Sequence, residues 1–267
     1  MRHLSMQRGD ATMREDIGPL LKLWPYNQDN SIRKIIDEDG TEKIQVRVDQ
    51  GAFQGLLQME LDGRPDGHKP HQSRFVLDHF QNKRDQYIQS NGKEEGFALT
   101  KGNCRELFDE SSQIYERYVF LLQIQDYDRV IQDTERNMDL FRFVNRYATE
   151  KKDRLNLEKW WPYVLRINAI ARVMITTQNK DYESGIAIIR DVMEKIEALE
   201  KVDAEEFYIE KDRSVKALNE LLEQLEQKRP LTEAEELKKE LLGAIENEDF
   251  ERAAQLRDRI HQTEEND

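Results

Sequence analysis

The 267-residue chain has little of several residue types, and each shortage excludes a class of protein. Cys104 is its single cysteine, which excludes an intrachain disulfide and a metal site built from several thiolates. No apolar run approaches the roughly 18 residues that span a bilayer. The first residues contain no continuous apolar segment of signal-peptide length. These absences favour a reducing compartment, and we expect a cytoplasmic protein without a membrane span.

Glycine and proline are also scarce, with 12 and 6 residues, whereas 36% of the residues are charged and 37% are hydrophobic. An ordinary domain has a charged share of roughly 25%. A chain so rich in charge has few apolar residues for thick core layers, so each helix is expected to bury one narrow stripe. The composition therefore predicts a mainly α fold.

The acidic charge is concentrated near the C-terminus. The formal charge is −13, and residues 201–267 hold 11 Lys and Arg against 20 Asp and Glu, a net charge of −9. Residues 1–102 hold 15 against 16 and are almost neutral. An acidic surface repels phosphate backbones, which argues against direct nucleic-acid binding by the C-terminal quarter and leaves the N-terminal region open.

The N-terminal region has the chain's best strand pattern. Apolar residues between 32 and 36 precede Asp39 and Gly40, which suit a tight turn, and Ile44, Val46 and Val48 then alternate with polar residues. Residues 56–61 can form a third strand, which predicts a small antiparallel sheet. The segment LDGRPDGHKP, residues 61–70, has the turn chemistry of a loop, and residues 75–88 have helical spacing.

From residue 103 onward apolar residues recur at three- and four-residue steps almost without interruption, which predicts consecutive amphipathic helices. Asp203 is positioned to cap one helix, with Val202 and Phe207 placed as a hydrophobic staple. Leucines at 218, 222 and 225 follow in the spacing of a short coiled coil. Pro230 ends this helix, and Thr232 and Glu235 form a second predicted capping box.

One short phrase occurs three times at predicted helix–turn–helix joints: QDYDRVI at 125–131, KDYESGI at 180–186 and EDFERAA at 248–254. Its aspartate can cap the second helix, and its aromatic residue can pack back onto the first. The first two copies resemble the internal turn of tetratricopeptide-like helical hairpins. The central region is therefore either a tetratricopeptide-like array or an irregular helical bundle.

The third copy belongs to a longer match. The segment AEELKKELLGAIENEDFERAAQLRDRIHQTEE, residues 234–265, resembles the UVR motif of the bacterial excision-repair proteins UvrB and UvrC and of the Clp-linked proteins ClpC and McsA. We therefore divide the chain into a disordered arm (1–16), a small α+β region with a β-hairpin (17–102), a helical-hairpin scaffold (103–200), a coiled-coil-like helix (201–229) and a two-helix UVR hairpin (230–267).

The resemblance implies that the UVR hairpin contacts a protein partner through its apolar end. Phe250 matches the family's contact aromatic, and Arg257 and Asp258 match a pair in its signature. The alternative is that Phe250 is a core residue of the hairpin itself and that Arg257 with Asp258 is a solvated surface pair. The predicted partner-binding residues are Leu241, Ile245, Phe250, Ala253, Ala254, Arg257, Asp258 and Ile260.

Catalytic, cofactor and metal signals are weak. The chain has no GxxxxGK[ST], GxSxG or HExxH segment, so we predict a protein that is not an enzyme and has no cofactor. His68, His71 and His79 lack a defined metal-ligand spacing, and no metal site is predicted. Cys104 has no basic cluster nearby to activate it, so a buried, unreactive thiol is expected.

Three hypotheses follow. The first is a non-enzymatic adaptor that docks through the UVR hairpin onto a UvrB/UvrC-like or Clp-linked protein or onto itself, in excision repair or in stress-related protein quality control. The single cysteine counts against a close McsA role, because McsA-like adaptors usually have paired zinc-binding cysteines. The second is an N-terminal nucleic-acid or ligand-binding module dimerised by the hairpin, with Arg64, His68 and Lys69 as a possible anion-binding loop. The third is a helical scaffold without a docking function.

Overall fold

A computed structural model describes residues 16–231 and 233–264, and for residues 233, 234 and 261–264 it describes only the backbone. The predicted disordered arm lies outside the described residues except for Asp16, and so does Thr232 of the second predicted capping box. The described chain is mainly helical with a small N-terminal sheet, as the sequence predicts.

The elements follow one another in the predicted order. The strands are β1 (Ile32–Ile36), β2 (Glu42–Gln50) and β3 (Phe53–Glu60). The helices are α1 (Gly18–Leu23), α2 (Val76–Asn91), α3 (Lys101–Gln123), α4 (Tyr127–Tyr147), α5 (Lys151–Asn156), α6 (Trp161–Gln178), α7 (Tyr182–Glu197), α8 (Glu205–Lys228), α9 (Glu233–Glu246) and α10 (Phe250–Glu264). The short helix α1 was not predicted from the sequence.

The sheet is an antiparallel meander in the order β1-β2-β3. Ile32 lies opposite Val46, and Val46 lies opposite Leu57. Gly40 has a φ of 80° in the turn between β1 and β2, which explains why the turn uses glycine at this position. One face of the sheet packs Ile44 and Val46 against residues of α3 and α4, so the sheet is anchored to the helical body.

A buried ion pair also joins the sheet to the helices. Arg117 on α3 donates from Nε and Nη2 to the carboxylate of Asp133 on α4, at 2.8 and 2.6 Å. Its Nη1 donates to the backbone carbonyls of Glu60 and Gly63, at 2.9 and 2.7 Å. All three nitrogens of this guanidinium therefore donate hydrogen bonds, to α4, to the end of β3 and to the loop that follows it.

The N-terminus of α2 is capped from another helix. The carboxylate of Glu110 on α3, which is fully buried, accepts hydrogen bonds from the backbone N–H groups of Val76 and Leu77 at 2.6 and 3.0 Å. The residue at the N-cap position, Phe75, has no side chain that could accept these bonds. Glu110 thus fixes α2 on α3, while burial raises the pKa of its carboxyl group.

Helices α3 and α4 form one antiparallel pair, α6 and α7 form a second, and α4 packs along α6. Helix α8 packs on α6 and α7, with Leu218 and Leu225 in a core shared with Ile189 and Ile196. The predicted coiled-coil stripe of α8 therefore has its partner within the same chain. Whether the two pairs are a tetratricopeptide-like array stays a prediction.

One predicted helix start is wrong. Helix α8 begins at Glu205 with Ala204 as its N-cap, and no side chain caps it, so Asp203 does not have the predicted role. Val202 and Phe207, the predicted staple residues, are both buried. Burial of Val202 before the N-terminus of α8 and of Phe207 after it therefore fixes where the helix begins, without a cap from Asp203.

Candidate interaction surface on the C-terminal hairpin

The three copies of the repeated phrase fold into the same backbone joint. In each copy the residue before the aspartate is not glycine and yet has a left-handed φ: 60° at Gln125, 59° at Lys180 and 57° at Glu248. Its N–H donates to the carbonyl three residues earlier, and the aspartate N–H donates to the carbonyl five residues earlier. This pair of hydrogen bonds is the Schellman motif, which ends one helix while the aspartate starts the next.

The aspartate caps the new helix in two copies. Asp181 accepts from the N–H of Ser184 at 3.1 Å, and Asp249 accepts from the N–H of Arg252 at 3.0 Å. The predicted cap is wrong for Asp126, because no N–H of α4 donates to its side chain. The carboxylate of Asp126 instead pairs with Lys34 of β1.

The aromatic residue is where the third copy differs from the others. Tyr127 is 6% exposed in the core between the sheet and α3, and Tyr182 is partly buried against the core of α6 to α8. Phe250 occupies the same position in the third joint and is 70% exposed. The aromatic residue of this joint is thus buried or partly buried in the first two copies and exposed in the C-terminal hairpin.

The hairpin of α9 and α10 has a small core of its own. It consists of Leu237, Leu241, Ala244, Ala253, Leu256 and Ile260. Leu256, which is 4% exposed, was not predicted as a core residue, and Arg257, a predicted partner-binding residue, is exposed. Leu256 lies three residues after Ala253 and four before Ile260, so it shares their face of α10.

The turn end of the hairpin exposes three large apolar side chains. Leu242 and Ile245 lie one turn apart on α9 and are 63% and 48% exposed, and Phe250 begins α10. A hairpin with so small a core has few residues left to cover them. Exposed apolar groups of this size, surrounded by charged residues, are typical of an interaction site.

The predicted partner-binding residues fall into two groups. Leu241, Ala253 and Ile260 belong to the hairpin's own core, so they support the surface from within. Ile245, Phe250, Ala254, Arg257 and Asp258 are exposed. Arg257 pairs with Asp258 at 2.9 Å on the surface of α10.

One arginine links the hairpin to the helical body. Arg229 follows α8, donates to the carboxylate of Glu235 on α9 at 2.6 and 3.0 Å, and pairs with Glu183 on α7 at 3.1 Å. These pairs lie at the opposite end of the hairpin from Phe250. The turn end therefore stays available to another molecule.

Comparison with known families identifies this hairpin. Residues 232–264 match the UvrB/uvrC motif. The matched range covers α9 and α10, so the UVR hairpin predicted from the sequence is confirmed, and the motif is a protein-interaction motif in UvrB and UvrC. Neither a curated protein nor a solved structure matches the chain.

The predicted anion-binding loop has a different geometry from the one expected. Arg64 is buried, donates to Asp66 at 3.1 and 2.6 Å, and lies 3.5 Å from Glu110. Its hydrogen bonds to Asp66 hold the pKa of that carboxyl well below its usual range. Only His68 and Lys69 of the three predicted residues face solvent. Anion binding by this loop stays a prediction, now carried by these two residues.

The remaining chemical candidates are an exposed histidine, a partly buried histidine and a buried cysteine. His71 and His79 stack at 4.0 Å between ring centroids, and burial lowers the pKa of His79. Within the described residues, no group of three or more His, Cys, Asp and Glu side chains could hold a metal ion. Cys104 is fully buried, and burial raises the pKa of its thiol to about 11. No helix in the described part of the chain has the length and apolar character needed to cross a bilayer.

Proposed function

We propose that the protein is a non-enzymatic adaptor that docks onto another protein through the turn end of its UVR hairpin. The exposure of Phe250 is the observation that carries this proposal. The same joint buries Tyr127 and partly buries Tyr182 elsewhere in the chain, so exposure is not a general property of this backbone geometry. A protein partner would cover Phe250 as the chain's own helices cover the two tyrosines.

The partner surface is expected to be apolar and helical. Phe250, Ile245 and Leu242 supply aromatic and aliphatic contacts, and aromatic residues in such positions often carry much of the binding energy. A second UVR hairpin has a matching surface, which favours a UvrB/UvrC-like protein, a Clp-linked protein or a second copy of this chain. These partners would place the adaptor in excision repair or in stress-related protein quality control, in the cytoplasm.

The buried state of the reactive groups supports a role without catalysis. Cys104 is enclosed and its thiol pKa is raised, which is the opposite of an activated nucleophile. The carboxylate of Glu110 accepts hydrogen bonds from the backbone N–H groups of α2 and does not line an open site. Together with the missing phosphate-loop and nucleophile motifs, this supports docking as the main activity of the chain.

The alternative function is nucleic-acid or ligand binding by the N-terminal region, with the UVR hairpin as a dimerisation element. Arg64 is one of its three candidate residues, and its guanidinium is already paired with Asp66 and lies near Glu110. A gel shift with the full chain at low salt tests this alternative, because phosphate contacts are strongest there. A salt-sensitive shift that Lys69→Gln weakens would support it over simple docking.

The proposed docking is tested by comparing the full chain with a version that ends at Arg229. Each is immobilised and exposed in turn to purified UvrB, UvrC and a UVR-bearing Clp-linked protein, and its own oligomeric state is measured by light scattering. We expect the full chain to bind one of these proteins or itself and the truncated chain to bind none. Equal behaviour of both versions would contradict the proposal.

A further inference from the structure

A cleft of about 550 Å³ lies in the helical body, far along the chain from the UVR hairpin. Helices α3 and α6 both pack on α4, which leaves a groove between them, and α8 closes one side. The volume is in the range of small-molecule sites, roughly 300 to 1,000 Å³. Neither the docking proposal nor the anion-loop prediction uses this cleft.

The inner wall of the cleft contains a buried amide with a free acceptor. Asn137 on α4 is 1% exposed, and its Nδ2 donates to the backbone carbonyl of Ser111 at 3.1 Å. Its Oδ1 is buried and accepts no hydrogen bond from the described residues, and the side chain of Tyr118 lies beside the amide. Buried amide oxygens are nearly always hydrogen-bonded, because leaving one unpaired costs free energy. A ligand with an N–H donor would satisfy this oxygen once a rotation of the amide turns it toward the cleft.

Aromatic rings form the sides of the cleft. The ring centroids of Tyr115 and Tyr118 are 5.5 Å apart, and Tyr163 lies 5.8 Å from the first and 6.5 Å from the second. Trp160 adds an indole at the mouth, where it is 37% exposed. Rings arranged this way can pack against a planar ligand by stacked and edge contacts.

The tyrosine hydroxyls stay uncharged in this setting. Burial raises the pKa values of Tyr118 and Tyr163, and each ring lies among the other tyrosines of the cleft. A neutral hydroxyl can donate or accept a hydrogen bond and does not repel an anion. The aromatic walls therefore accept an anionic or a cationic ligand. The charged residues of the cleft determine which of the two binds.

Those charged residues are two arginines and one glutamate from α6 and α8. Glu210 is buried and lies 2.9 Å from Arg213 and 3.5 Å from Arg166. The carboxylate neutralises one of the two guanidinium groups, which leaves one positive charge at the cleft. Arg213 is largely exposed at the mouth, with a side-chain exposure of 67%, so it can reach an incoming anion.

We propose that this cleft binds a small heteroaromatic acid: a planar ring with an N–H donor and a single negative charge. The ring packs among Tyr115, Tyr163 and Trp160, its N–H donates to Oδ1 of Asn137, and its acid group meets Arg213. Ligand size, donor and charge each correspond to one observed feature of the cleft. The site makes the helical body a ligand-binding unit in addition to its role as the scaffold of the hairpin.

Calorimetric titration of the full chain with indole-3-acetate tests the proposal. Two matched probes separate its parts: naphthalene-1-acetate lacks the ring N–H, and tryptamine has a positive charge in place of the acid. We expect indole-3-acetate to bind most tightly, with an affinity that falls as the salt concentration rises. No binding at concentrations of about 1 mM, or equal binding of tryptamine, would overturn the proposal. Equal binding of naphthalene-1-acetate would overturn the role of Asn137.

Three variants locate the binding in this cleft. Arg213→Gln is expected to weaken indole-3-acetate binding roughly tenfold, in line with the loss of one charged hydrogen bond. Its control is Arg190→Gln on α7, a comparably exposed arginine with one carboxylate partner outside the cleft, Glu226. Ser112→Trp fills the mouth from an exposed position and is expected to abolish binding. Unchanged binding in both Arg213→Gln and Ser112→Trp, or an equal loss in Arg190→Gln, would overturn the assignment.

Discussion

Tyr127 and Phe250 hold the same position in two copies of one Schellman joint, yet Tyr127 is 6% exposed and Phe250 is 70% exposed. The backbone hydrogen bonds around the two residues are equivalent, so local geometry does not explain the difference. The surrounding elements explain the difference in exposure. The sheet and α3 cover Tyr127, whereas the UVR hairpin has only its own two helices to cover Phe250. This contrast supports a docking role for the hairpin.

The contrast predicts unequal stability losses on truncation to alanine. Tyr127→Ala removes a buried ring and should lower the free energy of unfolding by about 3 kcal/mol or more. Phe250→Ala removes an exposed ring and should change it by less than about 0.5 kcal/mol. Urea unfolding of the full chain, followed by far-UV circular dichroism, measures both. Equal losses would show that Phe250 is a core residue.

Breaking the ion pair between Arg117 and Asp133 should be costly. Arg117→Met leaves a buried carboxylate and two backbone carbonyls without their donor, so we expect a loss of about 3 to 5 kcal/mol in the free energy of unfolding. The control is Arg142→Met, which breaks an exposed pair with Asp139 and should cost less than about 1 kcal/mol. Similar losses in urea unfolding would contradict the structural role given to Arg117.

Cys104 should be unreactive in the folded chain, and ionisation of its thiol should lower stability only in alkali. With a pKa near 11 against the ordinary 9.0, its thiolate fraction at pH 8 is about 100-fold lower than that of a free thiol. Alkylation by iodoacetamide should therefore be much slower in the native chain than in urea. Because the folded pKa is the higher one, the stabilisation is present below pH 9 and is lost as the pH rises toward 11. The variant Cys104→Ala should lose less stability than the wild type between pH 9 and pH 10, below the range in which Tyr118 and Tyr163 ionise. Rapid native alkylation at pH 8 would contradict the prediction.

Arg64 should act on stability and not on nucleic-acid binding. Its hydrogen bonds lower the pKa of Asp66, so their stabilisation is present above the ordinary value of 3.8 and is lost as the pH falls below it. Arg64→Gln should therefore destabilise the chain at pH 7, and the difference from the wild type should shrink below pH 4. Lys69→Gln, an exposed change in the same loop, is the control and should leave stability unchanged. A pH-independent loss in Arg64→Gln would contradict the role of Asp66.

The sequence predicted the local structure well where one signal was dominant. Alternation around Val46, the turn at Gly40 and the repeated aspartate–aromatic phrase gave the sheet and the helical joints. Asp203 shows the limit of such signals, because buried Val202 and Phe207 fix the start of α8 without a cap. Local chemistry permits a cap, and tertiary packing decides whether it forms.

The long-range polar contacts could not be predicted from the sequence. Arg117 and Asp133 are 16 residues apart on different helices, and Glu110 caps a helix that begins 34 residues before it. No periodicity links such residues, since their contact depends on how the helices pack. The cleft around Asn137 was not predicted for the same reason, because residues of five helices line it.

The most direct test of the docking account is the affinity of the full chain for the UVR-bearing partner that it binds, measured for wild type, Phe250→Ala and Phe53→Ala. Phe53 is the matched control, an exposed phenylalanine on β3 with 59% exposure, remote from the hairpin along the chain. The account predicts a loss of about 30-fold or more for Phe250→Ala and unchanged affinity for Phe53→Ala. Equal affinities of wild type and Phe250→Ala would contradict it.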